Sequence, residues 1–349
     1  MIQRILEEKL EGKDIETVAI VGAGAVGAAI GSMIAEKLPE ALTIIADPDR
    51  AERYRTRGFL INGNLHHFPV RTTTDTLRVD LIIVATKSYD LDAALEIMRS
   101  AVGQETMVLS LLNGISSEQI IAARFGEEHV LPAMIVGIDS VREDGAVVYQ
   151  NRGTIHFGPN PEISLLGSEV SGHGNDNSKS GSEVSRHDSG HPQDGAVARV
   201  KDFFDRCAIP AMIAPDIRRT LWWKFMVNVG INQVSAILRA PYGVFQRNQE
   251  ARALMISAMQ EVVAVAQASG VGLSGEDIEE WDKTLLTLAP TGKTSMLQDV
   301  EAGRRTEVDL FAGTMVKLGE QYGVPVPVNL TLYRMLRTIE FESAAKREA

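Results

Sequence analysis

Cysteine is almost missing from this 349-residue chain: Cys207 stands alone. No internal disulfide can form, and a reducing cytoplasm is the compartment such a chain suits. Positive charge is also short. Lys and Arg total 35 against 46 Asp and Glu, a formal net charge of −11. That balance speaks against a general nucleic-acid binder and against a binder of anionic membranes. No apolar run reaches membrane-spanning length. The opening MIQRILEEKLEGKD lacks a long apolar core and a cleavage site, so it reads as a short amphipathic helix and not as a secretory signal. Compact metal-ligand spacing is absent as well. His173, His187 and His191 fall in a Ser/Gly-rich stretch with no carboxylate–histidine pattern, so they read as solvated loop residues and no metal is expected.

What remains is ordinary for a globular protein, with 44% hydrophobic and 23% charged residues and length enough for two domains. From Glu16 short β-rich runs alternate with helical ones. ETVAIV, LTIIA (Leu42–Ala46), DLIIVAT (Asp80–Thr86) and MVLSLL (Met107–Leu112) are near-continuous apolar runs, as buried parallel strands are. LPAMIVGI follows, and AVVYQ with TIHFG, separated by Asn151–Gly153, reads as a hairpin. Residues from about 160 to 194 lose every apolar period and read as a flexible surface insertion. AVARVKDFFDRCAIPAMIAPDI restores a helix and a strand. Beyond Asp216 only long helices are expected: Arg218–Leu238, Glu250–Gly270, Gly275–Leu288, Thr306–Tyr322 and Val328–Phe341. The expected architecture is an N-terminal extension (1–13), a Rossmann-like doubly wound α/β domain (14–215) and an all-helical domain (216–349).

Two motifs carry chemistry. Gly22, Gly24 and Gly27 form GxGxxG between the first strand and a helix. The first permits a tight turn, the second lets the backbone approach a pyrophosphate, and the third allows the helix to press on the strand. Asp47 ends the second strand, where an acidic residue bonds the adenosine 2′-hydroxyl and favours NADH. Arg50, Arg53 and Arg55 follow, any of which could meet the 2′-phosphate of NADPH. Lys87 and Asn113-Gly114 sit past the carboxyl ends of later strands, on the ligand edge of an open sheet, and look like the nicotinamide end. The second motif is LWWKFMVNVGIN (Leu221–Asn232), an apolar helix carrying Lys224, Asn228 and Asn232 at every fourth position and so on one face. The stripe is either the floor of a site or a snorkelling lysine with two backbone-bonded asparagines.

With these pieces in order, the chain resembles the ketopantoate reductase (2-dehydropantoate 2-reductase) family from about Glu16 to Phe341. The specific part is the series Thr86-Lys87, Leu112–Gly114, DIRRTLWWKFMVNVGIN, TSMLQD (Thr294–Asp299), GRRTEVD (Gly303–Asp309) and GVPVP before Asn329. The resemblance implies reduction of 2-dehydropantoate to (R)-pantoate by hydride from NADPH, the family's default cofactor, on the way to pantothenate and coenzyme A. It makes Lys224 the proton donor, Asn228, Asn232 and Ser295 substrate contacts, and Glu307 an active-site carboxylate touching the cofactor. It makes Asn113 and Lys87 cofactor-side residues near the nicotinamide, Asn113 a substrate contact as well. Three positions depart from the family pattern. Tyr242 replaces the asparagine of PNG, Asp47 stands where some members carry an arginine, and Val326 replaces a threonine. Another branched 2-oxo acid on the same scaffold, or a dinucleotide sensor without turnover, are the competing readings. Apolar helices such as Glu250–Gly270 serve either as internal core or as the face of a homodimer.

Overall fold

The computed structural model describes residues 13–75, 77–143, 145–162 and 191–348. The expected N-terminal helix, His173, His187 and the body of the insertion lie outside them. The chain divides into two units, one of residues 1–112 with 116–217 and one of residues 113–115 with 218–349.

The first unit runs β1 (Val18–Val21), α1 (Ala25–Lys37), β2 (Leu42–Ile45), α2 (Pro48–Arg57), β3 (Phe59–Ile61), β4 (Asn64–His66), β5 (Val70–Arg71), β6 (Leu81–Val84), α3 (Leu91–Met98), β7 (Met107–Ser110) and α4 (Ser117–Phe125). It continues through β8 (Val130–Leu131), β9 (Ala133–Ile138), β10 (Val141–Glu143), β11 (Ala146–Val148), β12 (Arg152–Phe157), α5 (Asp194–Arg206) and β13 (Ala211–Ile213). Six strands form one sheet in the order β5-β2-β1-β6-β7-β8, every pair parallel. That is the doubly wound order, whose direction reverses between β1 and β6 and opens a crevice at their carboxyl ends. Alternate residues of each strand face opposite sides. Ile20, Ile44, Ile83 and Leu109 join the core that includes α1 and α5. Ala19, Ile45, Ile82 and Val108 join the one under α3 and α4. Both faces are covered, which is why these strands read as continuous apolar runs. At the start of the sheet Asp80 accepts the Glu16 and Thr17 amides at 3.0 and 2.9 Å and the Thr17 hydroxyl at 2.8 Å. Cys207, just past α5, is fully buried, and burial pushes its thiol up to about 11.

The expected hairpin of AVVYQ with TIHFG is not formed. β11 pairs antiparallel with β10 and parallel with β3, in a sheet ordered β10-β11-β3-β4. β12 pairs antiparallel with β9 and parallel with β13. Asp139 accepts the Gln150 and Asn151 amides at 2.9 and 2.8 Å, ending one strand and starting the other in a different sheet. The real hairpin lies earlier, between Val141 and Val148. Of the stretch read as an insertion, residues 160–162 and 191–194 are described. Asn160 is buried, its amide donates to Gln193 Oε1 at 2.7 Å, and its carbonyl meets His191 Nε2 at 3.0 Å.

The second unit runs α6 (Ile217–Val227), α7 (Gln233–Leu238), α8 (Tyr242–Arg247), α9 (Gln249–Ala268), α10 (Gly275–Thr287), α11 (Ser295–Glu301), α12 (Thr314–Tyr322) and α13 (Pro327–Glu348). Two single π turns interrupt it, Asn228–Asn232 between α6 and α7 and Asp309–Gly313 before α12. The helix expected over Arg218–Leu238 is thus bent in register at its middle, and the one expected from Thr306 begins at Asp309. Its core is apolar: Phe225, Phe245, Met255, Met259, Phe311 and Met315 are fully buried. A side chain at Gly230 would come within 2.5 Å of Met259, so the first π turn lies directly on α9. No helix among the described residues is long and apolar enough to cross a membrane.

Candidate functional site

In the first unit the glycine loop joins β1 to α1. Gly22 has φ +98°, and a Cβ there would stand 2.6 Å from Thr86 Cγ2. A Cβ on Gly27 would stand 2.1 Å from Gly22 O, so only glycine lets the helix close on the turn. Gly24 differs: nothing lies within 4 Å of an added Cβ. It is the N-cap of α1, provides no side-chain cap, and is followed by no acidic residue in the first turn. The first N–H groups of this helix and its positive dipole end are therefore left facing an open cradle, which suits an anionic diphosphate. Thr86 and Lys87 follow β6 at the point where the strand order reverses, and the buried Thr86 hydroxyl has no protein partner. These residues fit a dinucleotide.

Asp47 lies just past the end of β2. Its Oδ1 accepts the Arg50 amide at 2.8 Å, capping α2, and its Oδ2 stands 3.4 Å from Arg50 Nε. Arg55 donates to the Val70 carbonyl at 3.0 Å and is used within the fold. Of the three arginines, Arg50 is the one beside Asp47. Arg142 of β10, which sequence reasoning missed, donates to Ala23 O at 3.1 Å and braces the glycine loop. A β-hairpin arginine has no sequence signal that would tie it to a distant loop.

In the second unit Trp222 and Phe225 stack edge-on at 5.9 Å, and Phe225 faces Phe311 at 6.5 Å, turning one side of α6 into the core. Lys224 and Asn228 are half-buried and Asn232 is buried. Asn232 Nδ2 donates to Asn228 Oδ1 at 3.3 Å, so the two asparagines meet on the π turn. Asn228 Nδ2 is buried and has no partner. A buried amide without an acceptor is costly in a finished fold, and a bound acceptor would relieve it.

Asn113 donates to Glu307 Oε2 at 3.1 Å, and Glu307 is buried. Gly114, at φ +91°, leaves no room for a Cβ, which would sit 2.7 Å from Leu310 Cδ1 on the second π turn. Thr306 precedes the turn, giving its amide and its hydroxyl to Glu340 Oε1, each at 2.7 Å. Ser295 is exposed at the start of α11. The residue before it, Thr294, caps that helix through Leu297 N at 3.1 Å and donates to buried Ser235 Oγ of α7 at 3.2 Å. This hydroxyl pair ties Ser295 to the helix that continues from Asn232. Tyr242 donates its amide to Gly292 O at 3.0 Å, and a Cβ on Gly292 would touch its ring at 2.9 Å. Its half-buried phenol therefore packs on the loop leading to Ser295, and burial raises its pKa, keeping the hydroxyl neutral. Among the described residues no group of three or more His, Cys, Asp or Glu could hold a metal ion.

Comparison with known proteins agrees over the whole fold. The 2-dehydropantoate 2-reductase of Pyrococcus horikoshii is 28% identical over 333 residues, covering 93% of this chain and 97% of that one. A ketopantoate reductase structure from Ralstonia eutropha is 25% identical with a TM-score of 0.74, covering 94% of this chain and 99% of the other. D-mandelate dehydrogenase, solved with NADH and anilino(oxo)acetate, superposes with a TM-score of 0.79 at 21% identity, covering 94% and 99%, and shares the fold. The family model for ketopantoate reductase PanE/ApbA matches residues 18–162 and its C-terminal counterpart matches 216–340, so the chain belongs to the ketopantoate reductase family and is an NAD(P)H-dependent oxidoreductase in kind.

Proposed function

We propose that this protein reduces the carbonyl of a small 2-oxo acid to a hydroxyl, with 2-dehydropantoate as the first candidate and (R)-pantoate as its product. The observation that carries the reading is the partnerless Asn228 amide, four residues from Lys224 and bonded through its oxygen to Asn232. A bound reduced nicotinamide supplies the hydride. The protein's part is the rest. The Lys224 ammonium stabilises the charge that develops on the carbonyl oxygen and gives it a proton. Asn228 Nδ2 donates to a substrate oxygen, Asn232 holds Asn228 in orientation, and the Ser295 hydroxyl receives the carboxylate end. Glu307, held by Asn113, and Lys87 are the residues the family resemblance assigns to the cofactor. Asp47 favours an unphosphorylated ribose, so NADH should be the better partner, with Arg50 the residue a 2′-phosphate would recruit.

Tyr242 supports a second reading. A flat aromatic ring packed on the loop before Ser295 suits a bulkier or aromatic acid better than the asparagine of the family pattern does. The test is steady-state turnover of the purified protein with NADH and NADPH on a panel: 2-dehydropantoate, branched aliphatic 2-oxo acids and phenylglyoxylate. Brisk turnover of 2-dehydropantoate is expected. Its absence beside turnover of another acid moves the assignment to that acid, and cofactor binding with no turnover of any makes the protein a dinucleotide sensor.

A further inference from the structure

Gln233 is a fully buried polar side chain to which the chemistry above gives no role. It is the first residue after the π turn that carries Asn228 and Asn232. A π turn inserts one residue into the helix, and the return to α geometry throws one backbone group out of the i→i+4 ladder. Buried, that group needs another partner. In the first π turn Gln233 Nε2 donates to Val229 O at 2.8 Å. In the second, Val308 O takes the amide of Gly313 at 3.0 Å, five residues on, and so is occupied where Ala312 N would have bonded it. The Ala312 amide donates to Gln233 Oε1 instead, at 3.1 Å. One carboxamide thus satisfies a carbonyl of one π turn and an N–H of the other.

The clamp is itself held. Gln233 Nε2 also reaches Asn329 Oδ1 at 3.3 Å, while Asn329 Nδ2 donates to Ala258 O at 3.2 Å and to Glu261 Oε2 at 2.8 Å. Glu261 in turn accepts the Val328 and Asn329 amides at 2.8 and 2.9 Å, fixing the start of α13 to α9. Every member lies within the second unit.

We infer that Gln233 is a positioning residue: by bonding Val229 and Ala312 it locks the two π turns in register and so sets where Asn228 and Asn232 stand relative to Glu307, which lies two residues before the second turn. Its effect on turnover rests on the 2-oxo acid reading above; its effect on the two turns does not.

The experiment uses the full chain carrying Gln233→Met, which roughly keeps length and volume and removes the bonds to Val229, Asn329 and Ala312. Hydrogen–deuterium exchange should quicken at residues 228–232 and at 309–313 together. With the best substrate of the panel, kcat/KM should fall by about tenfold or more, since displaced binding groups cost rate steeply. Most of the fall should sit in KM, with the Kd for reduced nicotinamide within about twofold of the parent. In an Asn232→Ala background the further loss on adding Gln233→Met should shrink to about twofold, because both changes then act through one contact set. Unchanged exchange at 309–313, kcat/KM within about twofold of the parent, or a loss that multiplies in full on Asn232→Ala would each overturn the inference. Should Gln233→Met fail to fold, Gln233→Glu decides. With its carboxyl ionised it keeps the acceptor for Ala312 and removes the donor to Val229 and Asn329, so exchange should quicken more at 228–232 than at 309–313; equal change in both turns sinks the clamp. If the parent turns over no 2-oxo acid, the proposed function falls and the exchange data still judge Gln233.

Discussion

The first unit builds its candidate site from backbone, the second from side chains. At the glycine loop the chain presents N–H groups and empty space, and Gly27 matters for what it lacks. On the second unit the candidates are side chains: Lys224, Asn228 and Asn232 on a helix bent by a π turn, and Glu307 on the segment leading into a second one. Backbone sites tolerate sequence drift around fixed glycines, whereas a side-chain site fails when any one support moves.

Breaking the side-chain half should have the largest effect. Lys224→Ala removes the proposed proton donor and is expected to lower kcat by roughly 10²–10⁴-fold while dinucleotide binding, followed by nicotinamide fluorescence, stays near the parent value. Near-normal kcat would remove Lys224 from its role and erase the contrast. Breaking the backbone half should act the other way round. Gly27→Ala forces a methyl to 2.1 Å from Gly22 O. Overpacking of this kind costs about 1–3 kcal/mol, expected to appear as weaker dinucleotide binding and a lower Tm with kcat at saturation little altered. A loss of kcat alone would show that the loop does more than hold phosphates.

The smallest effect sharpens the comparison by touching the first unit's frame far from any ligand. Hydrogen bonds from Thr17 and the Glu16 and Thr17 amides hold the Asp80 carboxyl below its ordinary 3.8, outweighing the burial that would raise it. The folded state therefore binds fewer protons than the unfolded one in acid, so the contribution is full above about pH 4 and fades as pH falls through the folded value. Asp80→Asn should lower stability at neutral pH by no more than about 1 kcal/mol, given partial exposure, and the gap between the two proteins should close in acid. A gap independent of pH in denaturant titrations would show that shape, not charge, is what Asp80 supplies.

Much of this was readable from sequence for identifiable reasons. Continuous apolar runs at Ile20, Ile82 and Val108 could only be strands covered on both faces, and the fold class followed. Of the four-residue spacing of Lys224, Asn228 and Asn232, the structure shows the two asparagines meeting, with Asn232 bonded to Asn228. Ser295 and Glu307 had no local signal and entered through resemblance alone. The pairing of β11 and β12 was misjudged because Asn151–Gly153 looks like any hairpin turn, while the partners of each strand are fixed by distant residues. The π turns were invisible, since no residue type prefers them, and Gln233 read as one more position on a buried helix.

Cys207 has a practical bearing. Sealed in the core with its thiol pushed up to about 11, it carries almost no thiolate near neutrality. Towards maleimide reagents the native chain behaves as if it contained no cysteine. A thiol engineered onto the surface of either unit would then be the single point of attachment for a dye, reporting the melting of that unit apart from the other.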